Sequence, residues 1–248
     1  MKYGVQLFSV RNSAKNDYEG TLRTLSKMGY SMIEPAGFFG LSAKEVRDMA
    51  DRYGLEITST HTGFEALFKD FDNTVRFHKD LGCSDIVIPW GSFFTAPEVE
   101  DFIEQVNKCI PRLRAEGIRL HYHNHAGEFL PNQDGVVVMP EYIRRTELML
   151  ETDVYWLCVA GIDPVKFIEE NCDRISLVHL KDGKLFDPTG PHPAGCSRVL
   201  GQGDVPIDAV RAKAIELGLK IIVENEGKAD SELDEAGLCL EYLKKFDN

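Results

Sequence analysis

Short apolar and β-branched runs alternate with longer amphipathic runs along the whole chain. The short runs are YGVQLFSV, SMIEPAG, LEITSTH, DIVIPWG, IRLHYHNH, LMLETDV, RISLVHL and KIIVENE, recurring about every 25 to 35 residues, and they predict eight strands. The longer runs predict a helix after each strand: YEGTLRTLSKMG, SAKEVRDMADRYG, FDNTVRFHKDLG, PEVEDFIEQVNKCIPRLRAEG, PEYIRRTE, DPVKFIEENC, DAVRAKAIELG and SELDEAGLCLEYLKKF. Ser42 with Glu45 and Thr95 with Glu98 have capping-box spacing, in which each side chain meets the other's free backbone N–H. Asp163 before Pro164 marks another helix start, and Gly29, Gly54, Gly82, Gly117 and Gly218 stand where helices should stop.

Eight βα units in a row, each too short to be a domain, predict parallel strands, right-handed crossovers and closure into a (β/α)8 TIM barrel. The alternative, an open doubly wound sheet, usually carries a Gly-rich phosphate loop after its first strand; here that segment reads SVRNSAKNDYEG. No linker or composition shift divides the chain, so residues 1–248 are expected to form one domain. The longest irregular segment, Asp182 to Pro206, follows the seventh strand and has the length of a functional loop, such as a lid.

In such a barrel, chemistry sits at the C-terminal ends of the strands. The residues ending these strands are Gln6, Glu34, His61, Trp90, His123, Asp153, His179 and Glu224. Alternation places Glu151 with Asp153, Leu177 with His179 and Ile222 with Glu224 on shared faces. If those faces point inward, Asp153, His179 and Glu224 converge near the barrel mouth, with His123 in phase to join them and His121 deeper. Such groups are costly to bury together, and a divalent cation removes the cost by accepting carboxylates and imidazoles. Each residue alone has a structural explanation: His123 as a hydrogen-bonded rim histidine, Asp153 as a cap before YWLCVAG, His179 in a network with Lys181 and Asp182, Glu224 as a solvated acid. Four such explanations at the same level of four strands are a poor account of the pattern.

Composition narrows the field. The formal net charge is −12, with no cluster of Lys and Arg to offset it, which disfavours nucleic acid as a partner. Six widely spaced cysteines without a C-x-x-C are expected to be reduced thiols and not a disulfide framework or a thiolate zinc site. No apolar run reaches membrane-spanning length, and the N-terminus lacks the marks of a secretory signal, so a cytoplasmic location without membrane association is expected. The absence of a nucleotide fingerprint predicts no organic cofactor.

The segments GVQLFSVR, IEPAGFFG, HYHNHAGEF, ETDVYW, AGIDPVKFI, RISLVHLKD, GQGDVPID and IIVENE give the chain a resemblance to the xylose isomerase-like TIM barrel superfamily over nearly its full length. HLKD followed by the GQGDVPID segment resembles the sugar phosphate isomerase/epimerase branch. The resemblance implies one divalent metal, with the family's aspartate at Asp153, its histidine at His179 and its last glutamate at Glu224. The family's first glutamate falls on His123. Either His123 completes the set, or Glu128 enters from the following loop as ligand or acid/base. Imidazole ligands favour Mn, Zn, Co or Fe over Mg. A homo-oligomer is a further possibility that the resemblance raises.

The leading expectation is therefore a metal-dependent isomerase or epimerase acting on a sugar or polyol-derived ketone by removal of the proton alpha to the carbonyl. Glu224 is the expected base and Glu128 the second group, with Glu34, His61, Trp90, Lys181 and Arg198 as candidate contacts to the carbohydrate and Phe64 as a further packing candidate. A lyase or dehydratase step at the same site is the close alternative. Phosphodiester cleavage at damaged DNA, and a sugar-binding barrel without catalysis, are more distant ones.

Overall fold

A computed structural model describes residues 1–91, 93–190, 193, 195–226 and 231–247. Its strands are β1 Gly4–Gln6, β2 Met32–Glu34, β3 Glu56–Ile57, β4 Thr60–His61, β5 Asp85–Ile88, β6 Arg119–His123, β7 Met149–Asp153, β8 Ile175–Leu180, β9 Asp182–Gly183, β10 Ser197–Arg198 and β11 Lys220–Val223. Nine of them form one parallel sheet in the order β3-β2-β1-β11-β8-β7-β6-β5-β4. The two ends of that order, β3 and β4, are pieces of one interrupted strand. The backbone bonds Thr58 N–H to Ile33 O and His61 N–H to Pro35 O carry it alongside β2, so the sheet closes. The result is the expected (β/α)8 TIM barrel.

The helices are α1 Arg11–Asn16, α2 Tyr18–Met28, α3 Ala43–Arg52, α4 Phe64–Lys69, α5 Phe71–Leu81, α6 Ala96–Ala115, α7 Val138–Arg145, α8 Val154–Val159, α9 Pro164–Glu170, α10 Ile207–Glu216 and α11 Glu232–Lys244. Both expected capping boxes are formed, and the Asp163 carboxylate accepts the N–H groups of Val165 and Lys166. Gly29 and Gly82 close α2 and α5 with left-handed backbone, as their positions demand. Two expectations of extended chain are replaced by helix. Leu7–Val10 turns into a single 3-10 turn because the Gln6 side chain accepts the Phe8 N–H, and Val154 begins α8 because Asp153 caps it. The short helices α1 and α4 had no amphipathic repeat long enough to announce them.

The core has two parts. A large apolar layer lies between the strands and the outer helices. Inside the barrel, Val87, Leu177 and Ile222 form a small apolar plug. Above that plug the inward positions are almost all polar and buried: Gln6, Glu34, His123, Glu151, Asp153, His179 and Glu224. Below it, His121 Nε2 meets Asp85 Oδ1 at 2.7 Å, a buried pair at the barrel floor. All six cysteines are free thiols.

The segment from Asp182 to Pro206 is more ordered than its composition suggests. β9 and β10 pair antiparallel, and the buried Asp182 carboxylate accepts backbone N–H groups from Gly183 (2.8 Å), Gly201 (2.9 Å), Gly203 (2.9 Å) and Val205 (3.2 Å). A Cβ on Gly203 would stand 2.0 Å from Asp182 Oδ1, which gives the GQGD segment its physical reason. Pro191, His192 and Ala194, within the expected lid, lie outside the described residues.

Candidate active site

The strand registers place the site. His123 pairs with Glu151 across β6 and β7, Asp153 with His179 across β7 and β8, and His179 with Ile222 across β8 and β11. Glu224 follows β11 directly, its N–H bonded to Leu180 O. Their side chains point into the barrel, as the alternation predicts. One ligand atom from each of His123, Asp153, His179 and Glu224 lies within 4.8 Å of the others, and all four residues are buried. A second group sharing two of these residues, His61, His123, Glu151 and His179, is equally close-set.

Asp153 divides its work. Oδ1 accepts the N–H groups of Tyr155 (2.9 Å) and Trp156 (3.1 Å), which caps α8, while Oδ2 is buried without a partner. His123 Nδ1 lies 3.3 Å from Glu151 Oε2 without making a hydrogen bond, and Glu151 Oε1 has no partner. His179 is fully engaged: Nδ1 is 2.8 Å from Glu224 Oε2, and Nε2 is 3.1 Å from Glu34 Oε2 and 3.2 Å from Glu151 Oε2. His61 Nε2 sits 2.7 Å from both Glu34 Oε1 and Glu151 Oε2. Lys181, buried, reaches Glu224 Oε1 at 2.9 Å and also Glu226.

The electrostatics follow from this crowding. Burial disfavours the charged form of each group, but the carboxylates Glu34 and Glu151 lift His61 to about 10 and His179 well above the ordinary imidazole value. Against burial, His179 and His61 hold Glu151 well below the usual carboxylate range, and Lys181 with His179 does the same for Glu224. Burial dominates at Asp153, whose carboxyl is pushed up to about 7. Burial also lowers His123 and His125, which are neutral imidazoles at neutral pH. The His61 and His179 imidazoliums and the Lys181 ammonium thus supply the positive charge beside Glu34, Glu151 and Glu224. Unpartnered Asp153 Oδ2, neutral His123 and the two-His, two-carboxylate donor set fit a divalent cation in the same role.

Above the cluster lies a cavity of about 460 Å³. Its lining includes Phe8, His61, Trp90, His123, His125, Glu224 and Glu226. The other expected site residues fall elsewhere. Glu128 is not brought to the cluster: it is buried on the opposite side of β6, where it accepts from Tyr122 Oη (2.8 Å) and the His125 N–H (2.9 Å). The reason is parity, since Tyr122 faces the helices while His121 and His123 face the axis. Glu34 is fully buried with both oxygens occupied by Gln6, His61 and His179, and Lys181 is likewise committed to Glu224 and Glu226, so neither side chain is presented to the cavity. Arg198 bonds to Gly195 O and Ser197 O and borders a different cleft. Phe64 packs on Phe68 and Phe102 in the helical layer. Sequence reasoning overlooked Glu151, although it shares the inward face with Asp153, and Glu226, two positions beyond Glu224.

The description "xylose isomerase-like TIM barrel" belongs to a family whose model matches residues 22–246. The chain belongs to that family. Inosose dehydratase from Geobacillus kaustophilus is 24% identical, the match covering 83% of this chain and 79% of that protein. A sugar phosphate isomerase/epimerase from Parabacteroides distasonis superposes with a TM-score of 0.84 at 25% identity, covering 99% of this chain and 98% of that one. The probable 3-DHS dehydratase AsbF from Bacillus anthracis shares the fold, with a TM-score of 0.77 at 14% identity over 98% of this chain and 99% of that one. Family membership agrees with the closed barrel. Among the described residues no helix is long and apolar enough to cross a membrane.

Proposed function

We propose that the chain is a divalent-metal-dependent enzyme that removes the proton alpha to the carbonyl of a polyol-derived ketone and then eliminates water. The observation that carries this is the placement of the cavity's acids: among the described lining residues only Glu224 and Glu226 are carboxylates, and both come from the end of β11. Two-base epimerisation needs opposed bases on the two faces of the substrate carbon, and Glu128, the expected second base, is turned toward the helices. Likeness to inosose dehydratase supports the same direction.

His123, Asp153, His179 and Glu224 would hold the cation, with Mn, Zn, Co or Fe preferred over Mg by the imidazoles. When bound it supplies Lewis-acid stabilisation of the negative charge that develops on the carbonyl oxygen. Glu224 takes the proton from the alpha carbon as that C–H bond breaks. His61, protonated between Glu34 and Glu151 and lining the same cavity, gives a proton to the departing β-hydroxyl as the C–O bond breaks, so the hydroxyl leaves as water. Return of the proton from Glu224 to His61 through solvent restores the starting state.

Likeness to the sugar phosphate isomerase/epimerase structure favours a second reading, in which the proton returns to carbon and no water is lost. Incubation with an inosose and with simple ketoses in D2O, with Mn, Zn or Co present, separates the two. A product lighter by one water supports elimination, and deuterium in a product of unchanged composition supports isomerisation. Absence of both, across all metals, or retention of activity in Glu224→Gln, sinks the proposal.

A further inference from the structure

A second cavity of about 390 Å³ adjoins the first, and His61 lines both. The neighbouring chain is shared too: Ala36 borders the first cavity and Gly37 the second. Each volume lies within the range of small-molecule sites, so the two make one cleft running outward from the metal-binding cluster between the loops after β2 and β4. The second cavity has its own character. Phe38 and Phe77, half-buried with ring centroids 4.6 Å apart, give it aromatic faces. Asp70, Asn73 and Thr62 give it hydroxyl-binding groups, with Asn73 Nδ2 donating to Asp70 Oδ1 at 2.7 Å and Thr62 Oγ1 3.3 Å from His78 Nε2.

Charge limits what enters. Among the described residues neither lining contains Lys or Arg, whereas Glu224, Glu226 and Asp70 face the cleft. Lys181, nearest to the cluster, is 1% exposed and committed to Glu224 and Glu226. Arg11 at the rim lies over the Phe8 ring, 4.5 Å from its centroid, and is not a lining residue. A phosphate would bring about −1.5 to −2 charges into this acidic cleft. Among the described lining residues the cation it would meet is the His61 imidazolium, already paired with Glu34 and Glu151, while Arg76 donates to Asn73 from outside the lining.

We propose that the second cavity is a subsite for a second, uncharged sugar ring, so that the substrate class is a neutral two-ring glycoside of the polyol and not a sugar phosphate. This rests on the reading of the first cavity as the metal-dependent carbohydrate site. One face of the distal ring would lie on Phe38 and Phe77 while its hydroxyls meet Asp70, Asn73 and Thr62. The single-ring substrate of the proposed reaction fills only the inner half of the cleft.

Gly63 provides the means to test this. It borders the second cavity, has backbone angles open to any residue, and a Cβ there would meet nothing within 4 Å. Calorimetric titration of the Mn-loaded protein would compare glucose, glucose 6-phosphate and a panel of maltose, cellobiose, trehalose and sucrose. At least one disaccharide is expected to bind tenfold or more tightly than glucose, and glucose 6-phosphate more weakly than glucose. In Gly63→Trp, and independently in Phe38→Ala, the disaccharide-to-glucose affinity ratio should fall close to one. Melting curves establish that both variants are folded, and the intact ratio in either folded variant would overturn the proposal. Tighter binding of glucose 6-phosphate, or no disaccharide advantage in the parent protein, would also overturn it while leaving the first cavity's reading intact. No binding of any sugar would overturn both.

Discussion

Glu151 and Glu34 act on the imidazoles and not on the solvent. Both are fully buried, and between them they engage Nε2 of His179 and of His61. Were the proposed set to hold a cation, His179 Nδ1, beside Glu224, would be the ring nitrogen available to it. Carboxylates in this position set the ring's orientation and basicity, so Glu151→Gln should weaken Mn or Zn binding about 10- to 100-fold in chelator competition, with the fold unchanged by circular dichroism. Glu128 carries a different consequence. Burial pushes its carboxyl up to about 7 from 4.5 when exposed, so the folded state holds a proton that the unfolded chain releases. Its stabilising contribution is complete below pH 4.5 and is lost as pH rises through about 7. Chemical denaturation at pH 5 and pH 8 should therefore show Glu128→Gln losing less stability than the parent over that interval, by about 3 kcal/mol at most. Equal losses would show that Glu128 is not protonated in the folded protein. The quartet was legible in sequence because each member ends a strand on the inward face. Glu128 was misplaced because it follows the strand, where alternation no longer says which way a side chain turns.

Among the elements, the interrupted third strand and the anchored segment after β8 matter most. β3 and β4 are joined through Thr58 and Ser59, both buried, and the break delivers His61 to the cavity rim while Ile33 O and Pro35 O keep the barrel closed. The run LEITSTH gave the strand but not its interruption, which arises from pairing with β2 and leaves no trace in local hydrophobicity. The segment after β8 looked like loop from its Gly and Pro content, yet a buried aspartate gathers four of its N–H groups. Gly203→Ala would drive a methyl into that carboxylate and should cost about 1–3 kcal/mol in urea unfolding. A cost below about 0.5 kcal/mol would show that the anchor relaxes freely.

For the molecule as a whole, the fold was readable because each βα unit carries its own pattern and closure needs only their number and handedness. What lay beyond the sequence was the pooling of charge: which carboxylate meets which imidazole depends on register between strands far apart in the chain. On the proposed metal site, the crowding of inward carboxylates would also make stability metal-linked. Mn or Zn at about 100 times its dissociation constant should add about 2.7 kcal/mol, raising the melting temperature by about 5–10 °C in a chain of this size. Asp153→Asn keeps an oxygen to cap α8 but gives up the unpartnered carboxylate oxygen, so it should remain folded and lose that thermal response. An undiminished response would place the cation elsewhere.

Asp182 also has a practical meaning. Because one side chain clasps both ends of the excursion between Gly183 and Gly201, a change at that single position reaches both ends at once. Losing that carboxylate would strand all four N–H groups together while the staves of the barrel keep their places.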